Sequence, residues 1–375
     1  MLSRMGWRVL VLVLFACGGT HVELVETAPV ETFLDVQEIP EAYDVWPAMF
    51  KLAHHTIDLA EFYASDAPDS RLAPSIAAIE AAVKRGVKVR FLAEQSFVKT
   101  YPETLERLAK AGVQVRHITL PTGGVLHAKY FVIDNREAFL GSQNFDWRAL
   151  EHNQELGARI TDKGIAMSMT AIFARDWALA GNEPVPKSKA QTGPPVTLVA
   201  SPKELLPAGI GWDLPEIVKL LDSAKERIQV QLLTYVAGDW TELEAPLVNA
   251  AKRGVKVNML LADWSKRTKV LPGLKQLAHT PNVEIRLVTV PQSFKGFIPF
   301  ARVTHAKLLV VDGARGWLGT GNWEKDYFYQ SRNLGLVIED KKLAGQLGEF
   351  FFTGWSSKYA EKLDPEKQYE PPRIE

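Results

Sequence analysis

Cysteine is almost missing: the 375 residues contain one, Cys17, so no intrachain disulfide framework holds the fold. A charge excess is missing too. Lysine plus arginine and aspartate plus glutamate each number 44, and removing Arg4 and Arg8 with an N-terminal segment leaves the balance near neutral. No global field attracts polyanions, so a nucleic-acid or headgroup site must be a local cleft. Long hydrophobic runs are also absent. The apolar run at residues 9–16 follows Arg4 and Arg8 and precedes Cys17, Gly18 and Gly19; it is too short to span a bilayer and reads as an export signal. The order Leu14-Phe15-Ala16-Cys17 resembles a bacterial lipoprotein box, which predicts lipidation of Cys17 and a membrane-anchored protein of the cell envelope.

What the sequence does have is a repeat. Residues 126–157, LHAKYFVIDNREAFLGSQNFDWRALEHNQELG, recur at 304–335 as THAKLLVVDGARGWLGTGNWEKDYFYQSRNLG. His127 and His305, Lys129 and Lys307, Asp134 and Asp312, and Asn144 and Asn322 keep one spacing, with Ser142 matched by Thr320. AAVKRGVKVRFL at 81–92 returns as AAKRGVKVNMLL at 250–261. The second half gains a loop, PQSFKGFIPFAR at 291–302, before its motif. The KRGVK copies read as helix C-termini with their basic residues on the favourable side of the helix dipole.

Helical periodicity alternates with short apolar strands and Gly breaks, which predicts an α/β fold: two α/β/α sandwich halves with mixed sheets around a pseudo-twofold axis. The expected division is a signal at 1–17, a tether at 18–40, a first half at 41–181, a linker at 182–202, a second half at 203–363 and a polar tail at 364–375. Each half has one repeated histidine, so a complete site needs both halves of a single chain.

In strand periodicity, residues two apart share a face, so each His-Lys pair points one way. Lys129, Lys307, Asn144 and Asn322 supply ammonium and amide donors for phosphate oxygens, with hydroxyls from Ser142 and Thr320. One imidazole can attack phosphorus while the other protonates the leaving oxygen and later activates the acceptor. An attacking imidazole wants an acceptor on its other nitrogen. Glu155, 28 positions after His127, is the candidate, and Asn333 holds the matching place after His305. On that basis His127 is expected as nucleophile and His305 as acid. Asp134 and Asp312 read as supports of the motif. Trp147, Trp323 and Tyr327, with Phe145 and Phe328, are candidates for base stacking or for packing; Phe294, Phe297, Phe300 and Arg302 are a second group. No ligand-spaced cluster accompanies the histidines, so no metal and no cofactor are expected.

The doubled HxKx4Dx6G(S/T)xN pattern resembles the phospholipase D superfamily over nearly the whole chain after the signal. GVLHAKYFVID…LGSQNFDWRAL and IPFARVTHAKLLVVD…LGTGNW are similar to the branch of lysosomal phospholipase D-like 5′ exonucleases. The resemblance implies a phosphodiesterase with a phosphohistidine intermediate and no required metal, acting on single-stranded nucleic acid. The alternative it leaves is a phospholipase D or a cardiolipin-synthase-like phosphatidyltransferase. A catalytically silent phosphodiester-binding module is the third reading, and two intact motifs weigh against it.

Overall fold

The computed structural model describes residues 21–375; the proposed signal and Cys17 lie outside the described residues. Two large mixed sheets carry the chain. In the first, the order across the sheet is Val22–Thr27, Glu155–Ile160, Glu137–Gly141, Tyr130–Ile133, Thr56–Glu61, Lys88–Glu94 and Gln114–Ile118. The last three are parallel and the rest antiparallel. The second repeats that order as Val196–Ser201, Asn333–Ile338, Arg315–Gly319, Leu308–Val311, Arg227–Leu232, Lys256–Ala262 and Val283–Val288. It adds short edge strands, Gly211–Trp212 and Ala360–Lys362.

The central strands are apolar on both faces because helices cover both faces of each sheet. One core joins the inner faces of the two sheets through helices Lys163–Ala180 and Lys341–Trp355. The outer face of the first sheet packs on helices Ala42–Lys51 and Ala73–Lys84, and that of the second on Asp213–Asp222 and Thr241–Lys252. The KRGVK segments close two of these helices. Gly86 and Gly254 take φ of 90° and 92°, where a side chain would be strained. Arg85 donates to the carbonyls of Phe50 and Ala53, and Arg253 to those of Leu221 and Asp222. These arginines neutralise the C-terminus of the neighbouring helix.

Two expected boundaries move. Within the 18–40 tether, Val22–Thr27 is an edge strand running antiparallel to Glu155–Ile160; its alternating valine and leucine side chains find a core, and acidic Glu26 is fully buried. The 182–202 linker likewise ends in Val196–Ser201, the equivalent strand of the second sheet. Composition suggested a spacer at both places because the buried glutamate and the flanking prolines dilute the strand pattern. The 364–375 tail is not free either: the Phe300 N–H donates to the Ile374 carbonyl at 2.9 Å, and Arg373 lies 3.9 Å over the Phe297 ring.

Candidate active site

The motif aspartates set the geometry from behind. Asp134 and Asp312, both at φ 53°, turn their carboxylates onto the N–H groups that start a neighbouring strand. Asp134 accepts from His54, His55 and Thr56 at 2.9, 2.8 and 2.7 Å, and Asp312 from Lys225, Glu226 and Arg227 at 3.0, 2.9 and 2.9 Å. Partial burial would raise both carboxyls, but the three backbone donors outweigh it and hold each below the usual range. A depressed folded pKa gives stability that is present above the unfolded carboxyl range and lost as pH falls through it. Asp134→Ala should therefore cost about 2 kcal/mol at neutral pH and much less at the acid end, measured as urea unfolding at the two pH values. Equal losses at both would remove the charge from the explanation.

His127 and Lys129 lie just ahead of Tyr130–Ile133, and His305 and Lys307 just ahead of Leu308–Val311. The expected strand thus begins after the pair. The backbone there is shared between halves. The His127 N–H donates to the Arg332 carbonyl at 3.1 Å and the Arg332 N–H to Val125 at 2.9 Å. Symmetrically, the His305 N–H donates to Gln154 at 2.8 Å and the Gln154 N–H to Val303 at 2.9 Å. Each histidine is thereby locked against the segment that ends in the other half's pairing residue.

That exchange corrects the expected partners. Glu155 does not hold His127; its carboxylate lies 2.8 and 3.0 Å from Nδ1 of His305. The residue on His127 is Asn333, whose Oδ1 lies 3.0 Å from Nδ1. Spacing along one chain pointed to the wrong histidine because the strand carrying Glu155 runs into the interface between halves. Ser142 and Thr320 are corrected with it. Their hydroxyls donate to Glu155 at 2.6 Å and Asn333 at 3.0 Å, and each accepts the N–H of Leu156 or Leu334. They position the histidine partners and have no hydroxyl proton left for a phosphate.

Lys129 and Lys307 each turn Nζ onto the carbonyl of the histidine two residues earlier. All four residues are at most 9 % exposed. Burial, reinforced by the two lysines, pulls both imidazoles well below 6.5. Burial also pulls Lys129 well down and Lys307 to about 7, and pushes Glu155 up to about 8. At neutral pH the His305–Glu155 couple thus keeps a proton that the His127–Asn333 couple lacks. Asn144 and Asn322 are buried nearby, each with an amide oxygen that has no partner.

Of the proposed stacking residues, Tyr327 reaches the site, edge-on to the His127 ring at 4.7 Å. Trp147 is half-buried beside His152. Trp323 is core, 2 % exposed and against Trp317, and Phe145 and Phe328 are buried with it in the outer cores. Arg302 is also structural, 3 % exposed and bonded to the carbonyls of Pro291 and Val30, whereas Phe294 is 93 % exposed.

Other residues were not singled out by the motif. Phe62 stands edge-on to His127 at 5.0 Å, with Lys129 Nζ 4.9 Å over its ring; Glu61, whose carboxyl is pushed well above the usual range by burial, is close enough for Lys129 to pull it back down. Arg332, fully buried, pairs with Asp176 of the first half at 2.7 and 2.8 Å and donates to Ser201 and Leu205. At the equivalent place of the first half stands Gln154, bonded with Gln231 and Thr304. An arginine next to Asn333 on a buried strand was the available signal. Among the described residues, no three His, Cys, Asp or Glu side chains gather as a metal cluster, and no helix is long and apolar enough to cross a membrane.

Two histidine-lysine pairs meeting between duplicated halves define a phosphodiesterase. Residues 48–177 and 217–355 both match the family described as "Cardiolipin synthase, PLD-like domain", and the chain belongs to the phospholipase D superfamily. It is 28% identical to Phospholipase D Z of Dictyostelium discoideum (92% of this chain, 91% of that protein). It is 28% identical to the 5′-3′ exonuclease PLD3 of Bos taurus (87% and 76%). The Virion nicking-joining enzyme of Vaccinia virus is 29% identical (92% and 90%). The fold is similar to that of phosphatidylserine synthase from Haemophilus influenzae Rd KW20, with TM-score 0.64 and 13% identity over 86% of this chain and 85% of that one.

Proposed function

We propose that the protein is a single-strand nuclease that works through a phosphohistidine on His127, with His305 as the proton carrier. The observation that carries the assignment is the crossed pairing. With Nδ1–H donated to the amide oxygen of Asn333, His127 keeps a lone pair on Nε2 at any pH above its depressed pKa. His305, backed by a carboxylate, is the imidazole suited to hold and return a proton. The expected roles stay, but for the opposite reason: the carboxylate serves the acid.

In the first step Nε2 of His127 bonds to phosphorus in line as the bond to the leaving oxygen breaks, and His305 gives that oxygen its proton. Lys129, Lys307 and the amides of Asn144 and Asn322 neutralise the non-bridging oxygens. In the second, His305 takes a proton from water, the water oxygen attacks phosphorus, and the phosphorus–nitrogen bond breaks. The chemistry needs no metal in this reading.

Nuclease is favoured over lipid hydrolysis by the aromatic rings of Phe62 and Tyr327 on the His127 imidazole and by the relatives named for nucleic-acid reactions. The relative named Phospholipase D Z supports the second reading, headgroup hydrolysis or phosphatidyl transfer. Export and lipid attachment through Cys17 rest on residues 4–19 and are part of the proposal. Incubation of the protein lacking residues 1–17 with end-labelled single-stranded oligonucleotides, and separately with phosphatidylglycerol, decides between the two. Turnover of the lipid with intact oligonucleotides would end the nuclease reading.

The pH dependence follows from the couples. Above about pH 7 Lys307 loses its ammonium, and the His305–Glu155 couple loses its proton near pH 8, the value to which burial pushes Glu155. Protonation of His127 stops the reaction only well below 6.5. So kcat/KM should be level through mildly acidic pH and fall above neutrality. Glu155→Gln should lower it by about 100-fold and move the alkaline limb to lower pH. A profile still climbing above about pH 8 in the parent protein would contradict these protonation states.

A further inference from the structure

Phe62 begins a line of rings that leaves the site through the first half only. Phe62 meets Phe97 at 4.6 Å, and Phe97 and Tyr101 lie 6.0 Å apart and nearly parallel, at 8°. Tyr63 stacks on Tyr101 at 4.9 Å. At the far end the Arg148 guanidinium lies 5.5 Å over Tyr101, held by a bidentate pair with Asp146 and reaching the Pro299 carbonyl of the 291–302 loop. All four rings are half-buried, so part of each remains at the surface. Among the described residues of the second half no such line of ring contacts leads from the site; its Tyr327 meets the His127 ring alone. Its strand Arg227–Leu232, the counterpart of Thr56–Glu61, is followed by Leu233 and Thr234, and the turn at 263–270 carries one ring, the half-buried Trp264, beside Lys266, Arg267 and Lys269. The first half therefore carries a line of rings where the second carries a mainly basic turn, although the catalytic groups are duplicated.

We propose that Phe62, Phe97 and Tyr101 form a stacking rail for unpaired nucleobases on one side of the scissile phosphate, and that the basic turn of the second half faces the strand on the other. The rail rests on the nuclease reading and deepens it. Flat, near-parallel rings capped by a guanidinium suit π-faces, and a duplex keeps its base faces covered. Stacking tolerates any base, so the rail selects single strands without selecting sequence. The line of rings on only one half also gives a two-fold site a direction along the strand.

The test compares oligothymidylate with a base-less oligomer of the same length and the same phosphodiester links. The parent protein should favour the base-bearing strand in kcat/KM by about tenfold or more. Phe97→Ala and Tyr101→Ala should bring that ratio close to one, and Phe97→Trp should restore it. A ratio that survives both alanine changes, or a parent ratio near one, overturns the rail and leaves the nuclease reading standing. Failure of the parent to cut either oligomer, with phosphatidylglycerol hydrolysed, overturns both. Because the readout is a ratio within each protein, partial misfolding of a variant cannot imitate it.

Discussion

Alanine at position 127 is expected to lower kcat/KM for phosphodiester hydrolysis by about ten-thousandfold or more. The reason lies in what each histidine lacks. His305 remains with Glu155 in that variant, but its Nδ1 is committed and its couple carries the proton, so no free imidazole lone pair faces phosphorus. The fold should tolerate the change. Asn333 loses one hydrogen bond and keeps those to Thr320 and the Tyr327 carbonyl, a neutral group with partners remaining, at a cost of about 1 kcal/mol. Parallel measurement of turnover and of the urea midpoint separates the two effects. Activity within about a hundredfold of the parent protein would remove His127 from the chemistry.

Asp176→Ala should do the reverse, striking stability before chemistry. Arg332 and Asp176 are both fully buried, and the arginine's other donors reach only the carbonyls of Ser201 and Leu205. Removing the carboxylate leaves a cation in a dry interface, which costs about 3–5 kcal/mol. Since the Arg332 carbonyl receives the His127 N–H, the loss should also loosen the nucleophile. The pseudo-symmetry suggests the rescue: the first half uses Gln154 in place of Arg332 and meets Gly354 in place of Asp176. Arg332→Gln added to Asp176→Ala should recover most of the lost stability in urea unfolding. No recovery would mean that the pair's value lies in its shape and not in its charge.

Much of this was readable in one sequence because the chain contains its own alignment. Two copies at a fixed spacing mark His127, Lys129, Asp134 and Asn144 and their counterparts as a site. The periodicities place most helices and strands of both halves, and the support role of the aspartates follows from the same register. What stayed hidden depends on contacts between halves. Which imidazole Glu155 serves is decided by a crossover at the pseudo-twofold axis, and no in-chain spacing reports it. Ser142 and Thr320 look like phosphate donors until their hydroxyls are found spent on Glu155 and Asn333. Trp323 and Phe62 show the other limit. Both follow a strand, and only packing tells that one is core and the other stands on a catalytic ring.

The most direct test of the crossed assignment is a burst experiment with bis(4-nitrophenyl) phosphate, whose good leaving group needs no acid. In His305→Ala the first step should run and the second should stall, because no base activates water. One equivalent of nitrophenolate should appear per protein, with intact mass and peptide mapping placing a phosphoryl adduct on His127. His127→Ala should give neither burst nor adduct. An adduct on residue 305 in His127→Ala, with none in His305→Ala, would exchange the nucleophile and the acid and contradict the account.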